Sequence, residues 1–154
     1  MILSQFLDFE AIRIDLAAGN KRHLLTQLAQ IAGARLAIDP TIINDALAER
    51  ERLGSTGFGG GVAIPHGKLA AIDRVYALVA RFTAPVDYKA IDGAKVDLAF
   101  LLLSPPDAGA EHLKALAAVS RLVRNAATVE KLRGARTRDA LAAVLIGADE
   151  RDAA

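Results

Sequence analysis

The chain has 154 residues, 19 Lys+Arg against 18 Asp+Glu for a formal net charge of +1, 53% hydrophobic residues and no Cys. That length is one ordinary domain, able to bury roughly two thirds of the surface its unfolded chain exposes, with no need of a disulfide or structural metal. The hydrophobic fraction excludes wholesale disorder, the missing Cys excludes thiol nucleophiles and Cys zinc sites, and the balanced charge lacks the concentrated basic face of a nucleic-acid binder.

The N-terminus, Met1–Phe6, has no basic stretch and meets Asp8 and Glu10 early, so it does not read as a signal peptide. Ile12–Leu16 alternates apolar and polar residues and predicts a half-buried strand. Lys21–Leu36 has apolar residues at helical spacing. Asp39-Pro40 is a helix start, with Asp as cap and Pro at the first helical position, and that helix runs to about Arg52. Ser55–Gly61 holds four glycines and predicts a loop. Val62–Ile64, Val75–Phe82 and Val96–Leu103 predict strands, the last apolar at nearly every position, as for a strand covered on both faces. Pro105-Pro106 ends it, and helices follow over about Gly109–Arg124, Thr128–Arg133 and Thr137–Ile146. The polar tail, 149–154, is expected to fray. The longest apolar runs, Val75–Ala80 and Leu98–Leu103, fall far short of the ~18 residues of a spanning helix. The expected fold is α/β, a single layered domain over 1–154, without membrane insertion or nucleic-acid partner and with a cytoplasmic location.

Three histidines are present: His23, His66 and His112. His66 lies between Pro65 and Gly67, directly after a short strand. Proline fixes its own φ and biases the residue before it to extended geometry, and glycine permits a close approach or sharp turn. Such a setting holds a side chain in place, as a nucleophile requires. The plainer reading is a surface turn histidine. His112 falls near the start of a helix, on or beside the stripe of Leu116, Val119 and Val123. The positive end of that helix suits an anion, and the plainer reading is a hydrogen-bonded, partly buried ring. His23, beside Lys21 and Arg22, reads as solvated surface.

The Ser55–Gly61 loop has enough glycine to turn backbone amides toward a phosphate, but no Gly-Lys-Ser/Thr follows, so it is not a P-loop. Arg50, Arg52, Ser55 and Thr56 precede or begin it. An arginine can grip a phosphoryl group bidentately. A charged run at a helix end is also often just a solvated face.

The run Arg50–Lys68, with its Gly-rich loop and Ala63-Ile64-Pro65-His66-Gly67-Lys68, resembles the active-site segment of the IIA proteins of the bacterial phosphoenolpyruvate-dependent phosphotransferase system, of the fructose/mannitol type. Ile91-Asp92-Gly93, Val96-Asp97-Leu98, Leu101–Pro105 and Glu111-His112-Leu113 extend the resemblance from about Leu16 to Ile146. The nitrogen-regulatory subfamily is the more similar branch.

The resemblance implies a central mixed β-sheet flanked by helices on both faces, and a phosphocarrier function without a cofactor. His66 is then the phosphoryl acceptor and His112 the second active-site histidine, stabilising the phosphoryl group. Arg50, Ser55 and Thr56 bind phosphate, aided by loop amides. An apolar rim of Phe58 and Ile64 docks the donor, an HPr-like phosphocarrier protein. The onward partners are regulatory target proteins or, for a sugar-specific IIA, a IIB domain. Two other classes remain: a non-catalytic module that senses an anion, and a metal site on His66 and His112. The latter lacks any HExxH spacing.

Overall fold

The structure, a computed structural model, describes residues 1–153. Two 3-10 turns, Leu3–Gln5 and Phe9–Ala11, lead into β1 (Arg13–Leu16). Then come α1 (Lys21–Leu36), α2 (Pro40–Glu51), β2 (Gly57–Gly59), β3 (Val62–Ala63), β4 (His66–Lys68), β5 (Tyr76–Val86) and β6 (Val96–Ser104). Three helices finish the chain: α3 (Ala110–Arg124), α4 (Ala126–Gly134) and α5 (Arg138–Ala153). The helix starts are chemically marked. Asn20, Asp39 and Asn125 each accept a backbone N–H of the following turn, and each such cap contributes about 1 kcal/mol.

The sheet is mixed, in the order β1-β5-β6-β3-β2, with β4 also paired to β6. β6 runs antiparallel to β5 and parallel to β3 and β4. β6 is apolar throughout because both its faces are covered. Leu98, Phe100 and Leu102 pack with Ala115, Val119, Leu122, Leu141 and Leu145 of the C-terminal helices. Ala99, Leu101 and Leu103 pack with Leu24, Leu28, Ile43 and Leu47 of α1 and α2. The period of two thus divides one strand between two cores.

One expectation is corrected here. The glycine-rich segment is not an open loop. It is a hairpin, β2 antiparallel to β3, turned through Gly59, Gly60 and Gly61 at φ of 116°, 63° and 84°. Such a run of positive φ requires glycine. The segment expected to fray begins inside α5, which continues to Ala153. Asp149 is 5% exposed and its carboxylate accepts the Leu3 and Ser4 amides, each at 2.7 Å. The first residue of the polar tail thus ties the two ends of the chain together. Ala154 lies outside the described residues.

Candidate functional site

β3 and β4 are separated by Ile64-Pro65, and β4 lies along the end of β6 with His66 opposite Leu102 and Lys68 opposite Ser104. Gly67, between them, faces α2. A Cβ there would stand 3.2 Å from the Ala46 carbonyl carbon and oxygen and 3.3 Å from the Ala46 Cβ. The glycine therefore sets how closely β4, and His66 with it, packs on α2. Gly67→Ala is expected to cost about 1–3 kcal/mol through overpacking, a fall of several degrees in Tm for a chain of this size. Thermal unfolding checks this, and an unchanged Tm would contradict it.

The His66 ring is fixed from both sides. Nδ1 lies 2.7 Å from the Ile64 carbonyl oxygen, and Nε2 lies 3.1 Å from Nε of Arg50. A carbonyl only accepts and a guanidinium only donates. The proton therefore sits on Nδ1 and the lone pair on Nε2. Burial lowers the His66 pKa, the Arg50 charge lowers it further, and the Ile64 bond and Glu51 offset part of this. His112, in the first turn of α3, stands with its ring centroid 5.6 Å from that of His66, tilted by 50°. Its Nδ1 contacts Ser104 Oγ at 2.6 Å. Burial, then the neighbouring His66 and Lys68, lower its pKa as well. Both rings are thus kept neutral near pH 7.

Arg50 also donates to the Gly54 carbonyl at 2.9 Å. The next residue anchors the end of α2. Glu51 accepts from Lys21 Nζ at 2.8 Å, Tyr88 OH at 2.9 Å, the Thr56 amide and the Thr56 hydroxyl. Burial raises the Glu51 pKa, but the bonds from Lys21, Thr56 and Tyr88 outweigh it and the net direction is down. A carboxylate with this many donors is a fixed anion, and it pins the 52–56 turn under Arg50.

His66, His112, Arg50, Lys68 and Leu53 line one open cleft of about 360 Å³. A larger groove of about 470 Å³ lies by Asp8 and Tyr76, but Asp8 is already engaged by Arg35 and Tyr76, and no histidine reaches it. The cleft unites His66, His112 and Arg50 as expected from the sequence, and leaves others out. Thr56 is 8% exposed and spends its hydroxyl on Glu51 and Tyr88. Ser55 Oγ accepts the Gly57 amide, and the Gly60 amide goes to Asp92. These loop groups brace the fold and do not line the cleft. Ile64, expected on a docking rim, is 4% exposed inside the core; its contribution is the carbonyl that orients His66. Phe58 is exposed on the edge strand β2, outside the cleft. His23 is exposed, as expected.

Four residues were not singled out from the sequence: Lys68 and Leu53 in the cleft, Ser104 beneath His112, and Leu113 beside it. Leu53 and Leu113 are 82% and 66% exposed. Their only sequence signal is adjacency, Lys68 two places after His66 and Leu113 one after His112. Among the described residues there is no group of three or more His, Asp or Glu that could hold a metal ion, and no helix is long and apolar enough to cross a membrane.

A mixed sheet between two helical layers, carrying a tautomer-locked, neutral imidazole beside an arginine and a second histidine, defines an α/β protein with a two-histidine cleft at the end of its sheet. The family model described as phosphoenolpyruvate-dependent sugar phosphotransferase system, EIIA 2, matches residues 5–147, and the chain belongs to that family of phosphotransfer proteins. A nitrogen regulatory protein of Bradyrhizobium diazoefficiens is 43% identical over 136 residues, covering 88% of this chain and 89% of its own. One from Pseudomonas aeruginosa is 38% identical over 145 residues, with 94% of each chain covered. The crystal structure of nitrogen regulatory protein IIA-Ntr from Neisseria meningitidis superposes with a TM-score of 0.87 at 31% identity, over 93% of this chain and 98% of that one.

Proposed function

We propose that the chain is a regulatory phosphocarrier: His66 accepts a phosphoryl group from an HPr-like carrier protein, and its phosphorylation state decides which proteins the cleft face binds. The observation that carries this is the pair of bonds on His66, Nδ1–H to the Ile64 carbonyl and Nε2 toward Arg50 in the open cleft. The Nε2 lone pair attacks the phosphorus of the donor's phosphohistidine. A bond forms between Nε2 and phosphorus, the donor's N–P bond breaks, and its electron pair returns to the donor imidazole. The proton on Nδ1 stays on the ring, hydrogen-bonded to the Ile64 carbonyl, and the positive charge the ring thereby gains is offset by the negative phosphoryl oxygens. Arg50 turns from the lone pair to the phosphoryl oxygens, and His112 supports them. Phosphoryl transfer rests on this sort of positioning and charge stabilisation. Leu53 and Leu113, with Phe58 exposed on the edge strand, offer apolar surface to the donor. The added charge of about −1.5 to −2 falls in the cleft that Leu53 lines and changes the face that targets meet. A cytoplasmic location goes with this reading.

The test is incubation with phosphoenolpyruvate and the upstream carriers, followed by peptide mass spectrometry. Label on His66 supports the reading, and an unmodified His66 overturns it. Rapid onward transfer to a sugar-specific IIB domain would replace the regulatory reading with the transport one.

The pH dependence follows from the lowered pKa of His66. A ring whose pKa lies below the ordinary ~6.5 stays neutral as pH falls through that value. The transfer rate is therefore expected to fall to half its plateau only below pH 6.5, as read by rapid-quench kinetics. Half-loss at or above pH 6.5 would contradict it. Stability has a matching sign. The unfolded ring binds its proton first, so stability falls as pH drops through the unfolded pKa.

A further inference from the structure

Ser104 is the last residue of β6 and sits opposite Lys68. It continues the row of Leu98, Phe100 and Leu102 that faces the C-terminal helices, which brings its side chain beneath the first turn of α3. It is fully buried, and its Oγ lies 2.6 Å from His112 Nδ1. Among the described residues that ring is its one hydrogen-bond partner. The Ser104 carbonyl is separately engaged by the Leu69 amide at 2.8 Å.

A serine hydroxyl carries one hydrogen and two lone pairs. If Nδ1–H donated to Oγ, the hydroxyl hydrogen would be buried with no acceptor, which native interiors avoid. If the hydroxyl donates to Nδ1, its hydrogen is satisfied and Oγ keeps only unused lone pairs. We infer that Ser104 donates to His112 Nδ1 and so holds His112 as its Nε2–H tautomer, an N–H donor for the cleft. The two histidines then have opposite roles. His66 presents a lone pair on Nε2, and His112 presents a hydrogen on Nε2. Burial, with the neighbouring His66 and Lys68 disfavouring a further positive charge, keeps His112 neutral, so the choice between tautomers is a real one. Ser104 is a positioning residue acting through His112. The consequence for transfer rests on the proposed phosphocarrier function, since the phosphoryl oxygens are what the N–H would meet. The tautomer itself does not rest on that function.

The experiment is long-range ¹H–¹⁵N correlation of the histidine rings at pH 7.5, on the full chain and on Ser104→Ala, with phosphoryl transfer measured on both. The expected wild-type spectrum has His112 protonated on Nε2 and His66 on Nδ1. In Ser104→Ala the His112 nitrogens shift toward a mixture of tautomers and His66 does not change. Transfer slows about tenfold without a change in donor affinity, the kinetic equivalent of one neutral hydrogen bond. His112 protonated on Nδ1 in the wild type, or nitrogen shifts unmoved by Ser104→Ala, would overturn the inference. A shifted tautomer with an unchanged transfer rate would overturn the positioning role. Absence of any label on wild-type His66 would instead remove the phosphocarrier reading and leave the tautomer result standing.

Discussion

His66→Ala is expected to abolish phosphoryl acceptance and leave the fold in place. The ring is only half-buried, and its polar contacts are the Ile64 carbonyl and Arg50, so its removal empties no core. The loss of transfer should nevertheless be at least ~10⁴-fold, the scale on which covalent catalysis fails without its nucleophile. No side chain in the cleft can replace it. The chain has no Cys. Lys68 is a strongly hydrated cation. His112 points its lone pair at Ser104 and not into the cleft. Mass spectrometry after incubation with the upstream carriers reads the label, and circular dichroism reads the fold. Retained label in a folded His66→Ala protein would place the nucleophile elsewhere.

Arg50→Ala has the second largest expected effect. The guanidinium is held between His66 Nε2 and the Gly54 carbonyl, and Glu51 fixes the turn beneath it through Lys21, Thr56 and Tyr88. A donor already aimed at the nucleophilic nitrogen can take up the phosphoryl oxygens as they arrive, without first being recruited from solvent. Removing one such preorganised donor costs about 10²–10³ in rate. Arg50→Lys should recover little, because an ammonium lacks the planar fork. A second signature has a definite sign. The Arg50 charge is one cause of the lowered His66 pKa, so Arg50→Ala moves that pKa up toward the ordinary imidazole value. The pH below which transfer fails moves up with it. A variant within twofold of the wild type, with an unshifted pH profile, would remove Arg50 from the site.

The main elements could be read from sequence because their signals are local. α1 follows from apolar spacing, α2 from apolar spacing and the Asp39-Pro40 start, and β6 from its unbroken apolar run. His66 and Arg50 were accessible through the Pro-His-Gly setting and the resemblance of the surrounding run. What was missed depends on contacts distant in sequence. Thr56 reads as a phosphate ligand until Tyr88, 32 residues away, is seen to share its hydroxyl with Glu51. Asp149 reads as a tail residue until the Leu3 amide, 146 residues away, lands on its carboxylate. The four glycines signal freedom of φ, but whether that freedom makes a mobile phosphate loop or a tight hairpin depends on the pairing of β2 with β3, which composition does not specify. Ser104 is one polar residue ending an apolar strand. It becomes meaningful only when α3 brings His112 above it.

The central claim is that His66 receives the phosphoryl group on Nε2 while Nδ1 keeps its proton on the Ile64 carbonyl. Long-range ¹H–¹⁵N spectra of the enzymatically phosphorylated protein, with ³¹P coupling to the ring nitrogens, test it directly. The expected spectrum shows phosphorus coupled to Nε2 of His66 and a proton retained on Nδ1. Phosphorus on Nδ1, or on any residue other than His66, would contradict it.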